Sequence, residues 1–197
     1  MAQAGGGAEK ESSAEEAYRA LAEVEMSLKS LAPHVSYWVK RKKRTVYVLP
    51  RKVSGDWQAI LRALEDFDRA VSAGMPAVYA YVGRAAAETG SEEAERALTE
   101  LSRRVREHGR ALAAFRAALQ GQADRKEDVA FVARAAIKKA LDLAVYIRHA
   151  LDVAARAARR AGRQQQVREE PQQEPEPQET RVGGGRRAAG GAPRRLL

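Results

Sequence analysis

Seven cations and three aromatic rings share the twenty-residue stretch HVSYWVKRKKRTVYVLPRKV, residues 34–53, which holds no acid. Lys40, Arg41, Lys42, Lys43, Arg44, Arg51 and Lys52 can neutralise phosphates, while Tyr37, Trp38 and Tyr47 offer flat faces for stacking. Single-stranded nucleic acid exposes both a charged backbone and unstacked bases, so it gains from both residue types at once. Stacking contributes about 1–3 kcal/mol per base, and each phosphate contact adds salt-dependent affinity. A duplex hides its base faces, and a basic ribbon would then have to read a groove or the backbone alone. The competing reading buries the three rings in the core and leaves the cations to solvate a loop. Because strand residues alternate, Tyr37 and Trp38 should face opposite sides, which leaves one of them for the core.

Other chemistry has little to work with. The chain has no Cys and only three His, at 34, 108 and 149, so disulfides, thiolate catalysis and a structural zinc site lack their ligands. There is no Lys-Ser/Thr phosphate loop, no HExxH, no GxSxG and no paired-glycine fingerprint after a strand. His108, between Glu107 and Gly109, reads as a polar residue near a helix end, and His149 as part of a solvated helix face. Asp66 and Asp68 stand two apart on a helix and diverge. No catalytic residue, metal site or cofactor is therefore expected. An orphan enzyme stays a third option, behind nucleic-acid binding and a helical scaffold or accessory subunit of a larger protein or ribonucleoprotein complex.

The formal charge is +9 over 197 residues. It divides as −3 over residues 1–33, +7 over 34–53, −1 over 54–123, +5 over 124–163 and +1 over 164–197. The excess is thus placed, and a placed patch attracts an anionic partner more specifically than a diffuse one. Arg156, Arg159, Arg160 and Arg163 form a second basic surface at the end of the last long helix, running on toward an Arg/Gly arm. No run reaches the roughly 20 apolar residues of a membrane span, and MAQAGGGAEKESSAEE lacks the basic start and apolar block of a signal peptide. No membrane partner and a cytoplasmic location are expected. Asn is absent, and Arg outnumbers Lys 26 to 9. That bias suits a thermophilic archaeon, and a GC-rich genome produces it too.

The elements that must position these groups follow from periodicity. Residues 1–12 carry too little apolar surface to offset the entropy of ordering and read as a disordered N-terminus. Ala17, Leu21, Val24, Leu28 and Leu31 mark an amphipathic helix from about Ala14, ended by Pro33. Two strands follow within 34–53, joined near Arg41–Lys43, with a helix through Tyr37–Lys43 as the alternative. Ser54-Gly-Asp56 caps a helix striped by Trp57, Ile60, Leu61, Leu64, Phe67 and Val71, which Gly74 closes. Met75-Pro76 starts a short helix over 76–89, where AVYAYVG also permits a strand. Gly90-Ser91 stops one helix and caps the next, with Glu92, Glu93 and Glu95 in its first turn. Gly109 ends or merely interrupts that helix before Leu112, Phe115 and Leu119. Asp124 to Glu127 has capping-box spacing, and a breaker-free helix spans 125–161. Residues 163–197, Pro/Gln/Glu-rich and then Arg/Gly-rich, read as a disordered tail.

The expected fold is mostly α: a bundle of four to five helices within 13–162, one basic β-hairpin and a long C-terminal helix able to support a homo-oligomer. With SYWVKRKKRTVYV set on an α-rich body before that long helix, the chain resembles the ThermoDBP-type archaeal single-stranded DNA-binding proteins. The resemblance covers residues 14–162 at the level of architecture. It implies oligomers that bind single-stranded DNA or RNA in a basic, aromatic-lined cleft. The long helix departs from a leucine zipper, because Ala occupies many positions where a zipper carries Leu or Ile.

Overall fold

The apolar stripes fold into four helices and one two-stranded ribbon in a computed structural model that describes residues 5–42, 45–121 and 126–169. For residues 5–11, 37–42, 45–49, 51, 126–128 and 164–169 the description is of backbone and register alone. The order is α1 (Gly5–Ser27), a 3-10 turn (Leu28–Leu31), β1 (Val35–Lys42), β2 (Thr45–Val53), α2 (Trp57–Thr89), α3 (Glu92–Gln120) and α4 (Lys126–Glu169). The mostly α architecture expected from the stripes is present.

Contacts along the helices fix their directions. Ala20 of α1 meets Gly74 of α2, and Tyr18 meets Tyr81, so these two helices run antiparallel. Arg116 reaches Glu65, and His108 lies against Phe67, which sets α3 antiparallel to α2. Lys139 bonds Glu107 and Arg156 reaches Glu93, so α4 runs back along α3. One core joins all four helices, with Phe67, Phe115, Ile60, Leu64, Leu101, Ile137, Leu143, Ile147 and Leu151 fully enclosed. Burying each such side chain contributes about 1.5–3 kcal/mol. The wide stripe of α4, from Val129 to Ala157, is consumed inside this bundle. Its many alanines let the neighbouring helices approach closely, which answers why leucines are missing there.

Caps behave as their residue types require. Asp56 accepts the Ala59 amide at 3.1 Å, Ser91 accepts the Ala94 amide at 3.4 Å, and Gly90 ends α2 in the left-handed region at φ 60°.

Four boundaries differ from expectation. α1 begins at Gly5, so most of the stretch assigned to a disordered N-terminus is helical. Once a helix is nucleated by its packed turns, extending it through Ala8–Glu11 costs little. α2 runs unbroken through Gly74, Met75 and Pro76, where two helices were expected. Gly74 is buried and faces α1, so its missing side chain serves close approach. Pro76 and Ser72, whose carbonyl loses its donor there, are both exposed, and water can take that place. α3 likewise passes through Gly109. Finally, α4 starts at Lys126 and continues to Glu169, eight residues past the expected end and into the stretch assigned to the tail. The helix passes through Gly162, after which Gln, Arg and Glu favour it, and the first proline is Pro171. Asp124 of the expected capping box and the tail from 170 to 197 lie outside the described residues.

Candidate nucleic-acid interface

The ribbon is antiparallel, and its register decides which residues meet. Val35 pairs with Val53 and Ser36 with Lys52; then Tyr37 pairs with Pro50, Trp38 with Leu49, Val39 with Val48, Lys40 with Tyr47, Arg41 with Val46 and Lys42 with Thr45. The helical alternative for 37–43 is thereby set aside. Between Ser36 and Tyr37 the register shifts, leaving Arg51 as an extra residue in β2 without a partner. Pro50, which cannot donate to a ladder, sits beside this irregularity, where such a residue is tolerated.

Because the side-chain period of a strand is two, the pairing sorts the ribbon into two faces. One carries Trp38, Lys40 and Lys42 with Leu49, Tyr47 and Thr45. The other carries Tyr37, Val39 and Arg41 with Pro50, Val48 and Val46. Tyr37 and Trp38 do take opposite faces. Four of the expected binding residues, Trp38, Lys40, Lys42 and Tyr47, therefore share a face; Tyr37 and Arg41 share the reverse one. Lys52 is exposed beside the base of the ribbon, while Lys43 and Arg44 lie outside the described residues.

The base is tied to the bundle. Val35 is buried, and Val53 packs partly against the core. The Ser54 amide donates to the His34 carbonyl at 2.8 Å, and the His34 amide donates to Leu31 at 3.0 Å. His34 Nδ1 lies 3.3 Å from Ser54 Oγ. β2 also lies against α4. Val35 alternates in step with Tyr37, Val39 and Arg41, so at its base that face is the buried one.

The second basic surface stands at the other end of the bundle. Arg156, Arg159, Arg160 and Arg163 are all exposed on α4. Arg156 Nη2 lies 3.5 Å from Glu93 Oε1, whereas the other three have no ion-pair partner among the described residues. The fold does not bring the two basic regions together: the ribbon base adjoins the start of α2, and Arg156 adjoins the start of α3, a full α2 length away.

Two tyrosines that sequence reasoning passed over stand within the electrostatic reach of Arg159. Tyr18 of α1 is 38% exposed, and its ring centroid lies 6.4 Å from that of half-buried Tyr81 of α2, at an interplanar angle of 58°. Burial pushes both phenols above the ordinary tyrosine value, Asp152 adds to the rise at Tyr18, and the Arg159 guanidinium pulls both back. No local signal could have paired them, since they are far apart in sequence on two helices.

His108 is the other surprise. It is 1% exposed within α3, edge-on to Phe67 at 5.1 Å, and neither ring nitrogen has a hydrogen-bond partner among the described residues. Its Nε2 is 3.4 Å from Asp68 Oδ1, an ion-pair distance without hydrogen-bond alignment. Burial holds its pKa below the ordinary histidine value, with Asp68 opposing. The expected polar residue near a helix end is thus a core residue, because α3 does not stop at Gly109. Asp68 therefore faces His108, while Asp66 pairs with Arg69. His149 is exposed, as expected, 5.4 Å from the Tyr146 ring, over which Arg104 also sits at 4.5 Å.

Among the described residues, no group of three or more His, Asp or Glu side chains is placed to hold a metal ion, and no helix is long and apolar enough to cross a membrane. Compared with known protein families, with curated proteins and with solved structures, the chain matches none of them.

Proposed function

We propose that the chain binds single-stranded nucleic acid through the β1–β2 ribbon, without catalysis. The observation that carries this reading is the register: Trp38 and Tyr47 share a face with Lys40 and Lys42, on the side opposite to that buried at Val35. One strand of nucleic acid laid across that face meets a stacking surface and two phosphate-binding cations together. Arg41, Arg51 and Lys52 add charge along the ribbon, and Lys43 and Arg44 follow Lys42 directly in sequence. The anchored base, with Val35 in the core and His34 bonded to Ser54, gives the ribbon a fixed point of attachment.

Fluorescence anisotropy of labelled single-stranded DNA, single-stranded RNA and duplex at two salt concentrations tests it. Single strands should bind more tightly than duplex, and affinity should fall with salt. Replacing Lys40, Arg41, Lys42, Lys43 and Arg44 together by Ala should reduce the logarithmic salt slope by up to about 3.5, from roughly 0.7 for each phosphate no longer neutralised. Trp38→Ala should weaken binding while leaving that slope alone. No binding at low salt, or binding indifferent to salt, refutes the reading. A stoichiometric protein partner in the absence of any nucleic-acid shift would identify a scaffold or accessory subunit instead.

A further inference from the structure

We propose that Tyr18, Tyr81, Arg159, Arg160 and Arg163 form a second contact for the same single strand, at the end of the bundle remote from the ribbon. This inference rests on the ribbon reading above and adds a site that the ribbon alone does not require.

Three helices converge to build it. Tyr18 comes from α1, Tyr81 from α2 and the arginines from α4, so the patch exists only in the folded chain. Tyr81 packs against the core, and Tyr18 leans on it at 6.4 Å, partly open to solvent. Arg159 is close enough to act electrostatically on both phenols. Both hydroxyls stay protonated at neutral pH, so neither ring repels a phosphate.

Charge separates the contact from an ordinary helix seam. Where cations cross to a neighbouring helix elsewhere, a carboxylate receives them: Arg116 has Glu65, Lys139 has Glu107, Arg148 has Glu25 and Arg156 has Glu93. Beyond Arg156 that pattern stops, and Arg159, Arg160 and Arg163 have no ion-pair partner among the described residues. Asp152 acts on Tyr18, and the Arg159 and Arg148 guanidinium groups act against it. An exposed arginine favours bases and phosphates together, because its planar group stacks as well as pairs. Along α2, Tyr81 lies about 36 Å from Trp57 at the ribbon end, so a strand must be long to touch both. Two linked contacts of this kind act as one bivalent site.

The test uses the full chain with labelled single strands of about 8 and about 30 nucleotides, the shorter within one module's reach and the longer able to bridge. Replacing Arg159, Arg160 and Arg163 together by Ala should weaken the long strand about tenfold and lower its salt slope by about 2, while leaving the short strand unchanged. Tyr18→Leu, which keeps an apolar group against Tyr81, should weaken the long strand about fivefold without changing the slope. Unaltered long-strand affinity in both variants overturns the second contact and leaves the ribbon reading intact. Equal losses on short and long strands overturn it as well. So does poly-glutamate binding that needs the three arginines while the long strand does not, which would assign the patch to an acidic protein. If wild type binds neither strand, both readings fail together.

Discussion

Gly74 gives the bundle its most exacting test. A Cβ placed there would lie 2.8 Å from the Cβ of Ala20 and 3.4 Å from its Cα. Neither atom can swing aside, since alanine has no rotamer to change, so Gly74→Ala must push α1 away from α2. Overpacking of this kind costs about 1–3 kcal/mol. Alanine's helix preference returns roughly 1 kcal/mol of it, leaving a net loss of up to about 2 kcal/mol. For a domain of this size that corresponds to a fall in Tm of up to about 8 °C. Gly109→Ala is the matched control: it is also mid-helix, is exposed and has nothing within 4 Å of its added Cβ. There the helix preference acts alone, and Tm should rise by up to about 4 °C. Thermal and urea unfolding followed by circular dichroism would read both. Adding Ala20→Gly to Gly74→Ala should recover stability beyond the sum of the single effects, with a coupling of about 0.5–3 kcal/mol. If Gly74→Ala matches Gly109→Ala, or the double variant shows no coupling, the close α1–α2 approach is wrong and α2 is not the continuous helix described.

Three further outcomes follow from the same geometry. Folded His108 holds a proton less readily than unfolded histidine, so the chain should keep its full stability above about pH 6.5 and lose some as pH falls below it; His108→Leu should match wild type at neutral pH and flatten that acid loss in urea titrations. Asp56→Ala and Ser91→Ala each remove an N-cap acceptor and should lower unfolding free energy by about 1 kcal/mol, additively because the caps sit at opposite ends of α2. Glu25→Gln breaks the two-pronged Arg148 contact yet should cost under about 1 kcal/mol, because that pair is exposed to solvent; a larger loss in denaturant melts would show that α4 depends on it.

Much of this molecule is readable along the chain because its signals are local. The stripe from Ile60 to Val71, the caps at Asp56 and Ser91, and the alternation around Val35–Val39 depend on neighbours a few residues away, and each became the element it announced. The concentration of seven cations at 34–53 is also a fact of order alone. Glycine and histidine were misread for a common reason: their meaning depends on what lies across the interface. Gly74 resembles a stop until α1 is seen 2.8 Å from its absent side chain, and His108 resembles a surface residue until Phe67 closes over it.

Composition and periodicity by themselves determined the helical class, the ribbon and where its charge is concentrated, since hydrophobic period and charge are properties of consecutive residues. Only the tertiary structure decided that Trp38 and Tyr47 share a face, because that depends on how two strands register. It alone also brought Tyr18 against Tyr81 within the reach of Arg159, and used the alanine stripe of α4 inside its own bundle. Those outcomes follow from distances between segments remote in sequence, which no local pattern records.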